Sequence, residues 1–165
     1  MNVEIINKTL SLVAIFGLIG VVISSFTTKG RAFFAKHGLH MGLLVAIWAT
    51  LGSFYYSDVV HYAPCVLCWY QRIFLFPQVI LLGIAVWRKD VGIRIYSLAL
   101  AGIGALIAVY HILVEHNITP SPCLATGVSC SVRYVYEFGF VSIAVMSLIT
   151  FLLIIASVYF AKKSE

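Results

Sequence analysis

Cys65 and Cys68 form a C-x-x-C pair where an uncharged run begins, and Arg72 follows four residues later inside that run. Such a dithiol can cycle between thiol and disulfide. A thiol in the first turn of a helix gains thiolate character from unsatisfied N–H groups and the positive end of the macrodipole, which favours Cys68. The four-residue step puts Arg72 on the same helix face. An intramembrane arginine is functional by default: it can snorkel toward Cys68 and sit beside any polar ring entering from the lipid. The plainer reading is an anchor to headgroups. Dithiol and cation together point to electron transfer between protein thiols and something dissolved in the bilayer.

The second pair, Cys123 and Cys130, lies in a polar connection spanning about residues 117–137, where Thr119, Pro120, Ser121, Pro122, Gly127 and Ser129 are loop residues. Pro122 keeps Ser121 extended and presents Cys123 on a stiff lead suited to another protein's groove. Cys130 can close a small ring onto Cys123. The roughly six residues before Cys123 reach roughly 20 Å when extended, so this pair can visit both an external partner and the C-x-x-C. Three uses of four cysteines compete: two structural disulfides, a four-thiolate zinc site, or a redox relay. Zinc leaves Arg72 unexplained, and Trp69 in place of a histidine after Cys68 excludes c-type haem attachment. The relay is the favoured use, with no metal expected.

The elements that must position these residues are membrane helices. Of the 165 residues 62% are hydrophobic and 10% charged, and mean hydropathy is +1.03; soluble domains do not look like this. Windows 9–28, 38–57, 95–114 and 138–161 hold no Asp, Glu, Lys or Arg, and window 68–87 holds only Arg72. Each can cross about 30 Å of hydrocarbon. The expected fold is therefore all-α: a four-helix transmembrane bundle plus one extra N-terminal transmembrane helix. Residues 1–37 are expected to hold that extra helix and a basic cytoplasmic loop, and 38–165 the redox domain. Lys8 before the first apolar run also fits a signal peptide. The run exceeds a usual h-region and no A-x-A site follows, so a retained helix that packs on the bundle and does no chemistry is expected.

With the N-terminus outside, eight of the eleven Lys and Arg residues fall on the inner side, namely Lys29, Arg31, Lys36, Arg88, Lys89, Arg94, Lys162 and Lys163. Lys8, Arg72 and Arg133 stay outside. The positive-inside rule then places the C-terminus in the cytoplasm and all four cysteines on the extracytoplasmic side of a bacterial plasma membrane, in an oxidising compartment. The basic residues are split among short loops, so nucleic acid is not an expected partner; lipid is. Pro77 offers a kink below Arg72. His111 lies in the outer half of the fourth span, four residues before Glu115. It reads equally as a contact for a bound ring or a proton carrier and as a hydrogen-bonded interhelical histidine.

The run Cys65-Val-Leu-Cys68-Trp-Tyr-Gln-Arg72, then Pro77, then Pro120-Ser-Pro-Cys123 and Cys130 ahead of Gly139-Phe-Val-Ser-Ile, resembles the DsbB family of membrane disulfide oxidoreductases, in its short-loop Gram-positive (BdbC) type. The resemblance covers roughly residues 38–161. It implies a chain of thiol exchanges: a DsbA-like, thioredoxin-like extracytoplasmic protein attacks Cys123, Cys130 attacks Cys65, and Cys68 delivers electrons to a quinone, ubiquinone or menaquinone, near Arg72. In this family a histidine near position 111 is associated with the quinone site. The interval between Cys123 and Cys130 is much shorter than in the best-known members, which leaves open how Cys130 reaches Cys65. A vitamin K epoxide reductase-like enzyme is the alternative, although there the C-x-x-C usually follows the loop pair. A non-catalytic, disulfide-braced membrane scaffold is the other.

Overall fold

The computed structural model describes residues 3–120, 123 and 128–161. Five α-helices account for most of these: α1 (Val3–Phe26), α2 (Thr28–Phe54), α3 (Val66–Arg88), α4 (Arg94–Glu115) and α5 (Ile143–Tyr159). A π-helical turn, Tyr55–Val59, extends α2, and a 3-10 turn, Val91–Ile93, leads into α4. Among the described residues extended pairing is limited to one isolated bridge, Glu137 with Val141. In hydrocarbon only helices and closed barrels satisfy every backbone N–H and C=O, and this chain uses helices. Segments Val3–Phe26, Thr28–Val59, Val66–Arg88 and Val91–Glu115 are each long and apolar enough to cross a membrane. At 17 residues α5 is at the short end of that range.

Helices α2 to α5 form the four-helix bundle, each touching the next and α5 returning to α2, while α1 packs outside against α2 and α5. Lipid gives little hydrophobic drive between helices, so close backbone approach between small residues must hold them. On α2, Gly38, Gly42 and Ala46 recur every fourth residue and are buried. A Cβ at Gly38 would collide with the Ser157 carbonyl of α5, and one at Gly42 would press 2.9 Å from Val158. On α4, a Cβ at Gly104 would enter the ring of Phe151, which is fully buried. Between α3 and α4 the contact is polar: Gln78 donates to the Ser97 carbonyl at 2.9 Å and accepts from the Ser97 hydroxyl at 2.6 Å.

Two segments depart from the sequence expectation. The basic stretch Lys29 to Lys36 is not a loop but the opening turns of α2, and Thr27 alone joins α1 to α2. Thr27 makes this possible by capping α2, its Oγ1 accepting from the Gly30 N–H at 3.2 Å. The apolar run from 138 begins not as helix but as a turn, with Phe138 and Gly139 at positive φ. Helix α5 starts only after Ser142, whose hydroxyl accepts from the Val145 N–H at 3.3 Å. At the opposite end of the bundle, Arg94 donates to the Ala161 carbonyl at 3.0 Å, fastening the start of α4 to the end of α5. Helix α3 continues through Pro77 as a single helix.

Gly104→Leu is expected to lower stability in detergent by about 1–3 kcal/mol, the usual penalty for overpacking. Gly102→Leu, where a Cβ meets nothing within 4 Å, is expected to be near neutral. Reversible unfolding of both variants checks the difference.

Candidate redox-active site

The dithiol is built by the way α3 begins. Pro64 favours extended backbone before it and cannot continue a helix from α2. Cys65 follows at φ −74°, ψ 172° as the N-cap of α3, its Sγ accepting from the Cys68 N–H at 3.4 Å where a serine oxygen would ordinarily serve. Cys68 is thus the third helical residue, and the two Sγ atoms are 3.1 Å apart as free thiols. The hydrogen bond shared with Cys68 lowers the Cys65 pKa from the ordinary thiol range; burial opposes this, and His111 adds to the lowering. The sulfur that caps the helix, Cys65, is therefore the one whose thiolate is supported, whereas the sequence pointed to Cys68.

Cys123 and Cys130 are joined in a disulfide, Cα to Cα 5.6 Å, and both are buried in a small cluster with Cys65, Leu67 and Val114. The Sγ atoms of Cys65, Cys123 and Cys130 lie within 4.8 Å of one another. The loop disulfide thus lies directly against Cys65. His111, 3% exposed, ties the pairs together from α4. Its Nε2 is 3.7 Å from Cys65 Sγ and 3.2 Å from the Cys130 carbonyl, and its Nδ1 is 3.1 Å from Gln71 Nε2. With the Gln71 amide donating to Nδ1, the ring proton sits on Nε2, where it can donate to the Cys130 carbonyl and to a Cys65 thiolate. Cys65, Cys68 and His111 also offer three ligand atoms within 4.8 Å, one fewer than a closed structural zinc site.

Arg72 stands one turn beyond Cys68 and is half-buried. Its guanidinium donates to the Ser53 carbonyl of α2 at 3.2 Å and lies 5.2 Å from the Trp69 ring centroid. A guanidinium has five N–H donors, so others remain for a ligand.

Sequence reasoning gave no role to Gln71, Glu115, Ser142 or Arg133. Ser142 donates to the Glu115 carboxylate at 2.6 Å, and Arg133 donates to the Glu115 carbonyl at 2.6 Å, so the loop's second arm is bound to the end of α4. The signal for Gln71 was available: a polar residue beside Arg72 within an apolar span must find a partner.

A membrane bundle that brings a dithiol against a second, disulfide-bonded cysteine pair is built for thiol–disulfide exchange. The family profile described as disulfide bond formation protein DsbB matches residues 35–161, and the chain belongs to that family. It is 44% identical over 138 residues to the probable disulfide formation protein C 1 of Bacillus anthracis, covering 82% of this chain and 99% of the relative. It is 42% identical over 133 residues to the disulfide bond formation protein C of Bacillus subtilis (strain 168), covering 77% and 95%. The probable disulfide formation protein of Metapseudomonas resinovorans is 41% identical over 114 residues, covering 67% and 79%. No solved structure matches this chain. The protein is thus a multi-pass bacterial membrane protein of the disulfide-forming class.

Ultraviolet thiolate absorbance, followed against pH with the loop disulfide intact, is expected to titrate Cys65 below the ordinary thiol value of about 8.5. Cys68→Ala removes the principal hydrogen bond and shifts that titration upward. An unchanged titration in Cys68→Ala would contradict the assigned cause.

Proposed function

We propose that this protein is a thiol:quinone oxidoreductase that reoxidises an extracytoplasmic thioredoxin-like, DsbA-like partner and so supports disulfide bond formation. The observation that carries the reading is the approach of Cys65 to both sulfurs of the loop disulfide. The partner's thiolate attacks Cys123, forming a mixed disulfide and releasing Cys130 as thiolate. Cys130 attacks Cys65 of the oxidised C-x-x-C, and Cys68 leaves. The partner's second thiol then displaces Cys123, which attacks Cys130 and expels Cys65. A leaving thiol of low pKa departs faster, and the Cys68 N–H and His111 support Cys65 in that role. The net result is an oxidised partner, a restored loop disulfide and a C-x-x-C dithiol.

Closing the Cys65–Cys68 disulfide again releases two electrons and two protons, and a quinone supplies the acceptor for them. The residues present fit such an acceptor at Cys68 and Arg72. Cys68 is partly exposed where the other three sulfurs are buried, and Arg72 keeps N–H groups beyond the one given to Ser53. His111 has its ring nitrogens directed at Gln71 and at the sulfur site, so its role in this scheme is holding a proton at Cys65. The distribution of Lys29, Arg31, Lys36, Arg88, Lys89 and Arg94 favours an extracytoplasmic N-terminus and extracytoplasmic cysteines, with the C-terminus in the cytoplasm.

Purified protein given a reduced thioredoxin-like protein and a soluble quinone is expected to turn over, and Cys68→Ser to reduce the rate to background with the fold retained. Arg72→Ala is expected to raise KM for quinone roughly tenfold, or about 1.4 kcal/mol, with little change in KM for the partner. Normal turnover by Cys68→Ser refutes the reading.

A further inference from the structure

Helix α1 carries no cysteine. Residues 1–34 precede the family match, and 82% of this chain suffices to cover 99% of the Bacillus anthracis relative. The two buried residues of α1 are polar, Asn7 and Ser11, and in a bilayer such groups call for specific partners. Ser11 faces Met146 of α5. Asn7 instead reaches the outer end of α2, its Oδ1 accepting from the Tyr56 hydroxyl at 3.0 Å, with both residues buried.

From Tyr56 a stack of rings leads to the redox loop. Tyr56 lies parallel to Tyr62, centroids 6.0 Å apart and planes at 9°, and the Tyr62 N–H donates to the Tyr56 carbonyl at 2.9 Å. Tyr62 in turn stacks on Tyr134, at 4.7 Å and 14°. Tyr134 is four residues beyond Cys130, on the arm that Arg133 fastens to the end of α4.

We propose that Asn7 is a positioning residue: through Tyr56 and the Tyr56–Tyr62–Tyr134 stack, α1 holds the arm carrying Cys130 in the place where its sulfur meets Cys65. A buried Tyr hydroxyl without an acceptor turns to seek one, and its ring turns with it. Loss of Asn7 therefore tilts the stack, and the arm spends less time docked. The inference rests on the thiol-relay reading for its effect on turnover, but the geometry is testable without partner or quinone.

With Cys68→Ser and Cys123→Ser in the full-length protein, Cys65 and Cys130 are the remaining thiols. Diamide joins them, taking two electrons and two protons and becoming the hydrazine, and the rate of closure reports docking. Asn7→Leu is expected to slow closure about tenfold, the loss of about one net hydrogen bond, and Tyr62→Leu, which removes the middle ring of the stack, to slow it by a similar factor. Combined, they slow it no further than either alone, because both break one path. Tyr62→Phe, which keeps the ring, restores the rate, and Ser11→Ala, elsewhere on α1, leaves it unchanged. Should Asn7→Leu fail to fold, Tyr56→Phe deletes the hydroxyl alone and is expected to slow closure likewise. Unaltered closure in Asn7→Leu or Tyr56→Phe overturns the proposal, as does a slowing that Ser11→Ala shares. An absence of quinone turnover in the parent protein would remove the proposed function and leave this result standing.

Discussion

His111 projects from α4, yet the groups around its ring belong to other parts of the chain: the Gln71 amide and the Cys65 sulfur of α3, and the Cys130 carbonyl of the loop. In a low-dielectric interior each of those polar groups would be destabilising without a partner, and the imidazole satisfies them together. Its two nitrogens face in different directions, so one ring fixes both the inner side of α3 and the inner side of the loop. This contributes to the approach of Cys65 to the Cys123–Cys130 disulfide. Besides this ring, the two sulfur pairs are held together by the apolar packing of Leu67 and Val114 and by the fastening of the loop's second arm at Glu115 and Tyr62.

That arrangement needs α3 and α4 at a fixed height and rotation, and the bilayer limits the means of achieving it. Small residues let backbones close together where larger ones would hold them apart: Gly38 and Gly42 against α5, Gly104 against Phe151. Paired Gln78 and Ser97 set the register of α3 on α4 well below the site. Arg94 and the Ala161 carbonyl fix the far end. The site is thus a consequence of packing along the whole length of the bundle, although all four cysteines lie at one end of it.

The helices were legible in the sequence because the membrane writes a one-dimensional code: long uncharged runs separated by charge and proline. That code predicted α1, α3 and α4 closely. It misread Lys29 to Lys36, since charged residues at the membrane surface are as content in a helix as in a loop once Thr27 caps it. It misread residues 138 to 142 for the converse reason, since apolar side chains there do not prevent the turn at Phe138 and Gly139. The four cysteines and Arg72 stood out by type and spacing. What did not stand out were the partners of His111, Tyr56 and Glu115, which lie 18 to 49 positions away in the chain. No periodicity announces a contact of that range, and buried polar residues show that partners exist without showing which.

The fastening of the redox loop beyond Cys130 bears on how one disulfide can serve two sites. Beyond Cys130 the chain is fixed repeatedly: Arg133 to Glu115, Tyr134 to Tyr62, Ser142 to Glu115. Ahead of Cys123 the Tyr110 hydroxyl donates to the Pro120 carbonyl at 3.1 Å. Cys123 is nevertheless 1% exposed when docked. A thiolate arriving from outside cannot attack a sulfur so enclosed, so in the proposed relay the loop must lift at Cys123 before the mixed disulfide forms. With the arm beyond Cys130 fastened at Glu115 and Tyr62, such a movement can leave Cys130 close to Cys65 while Cys123 turns outward.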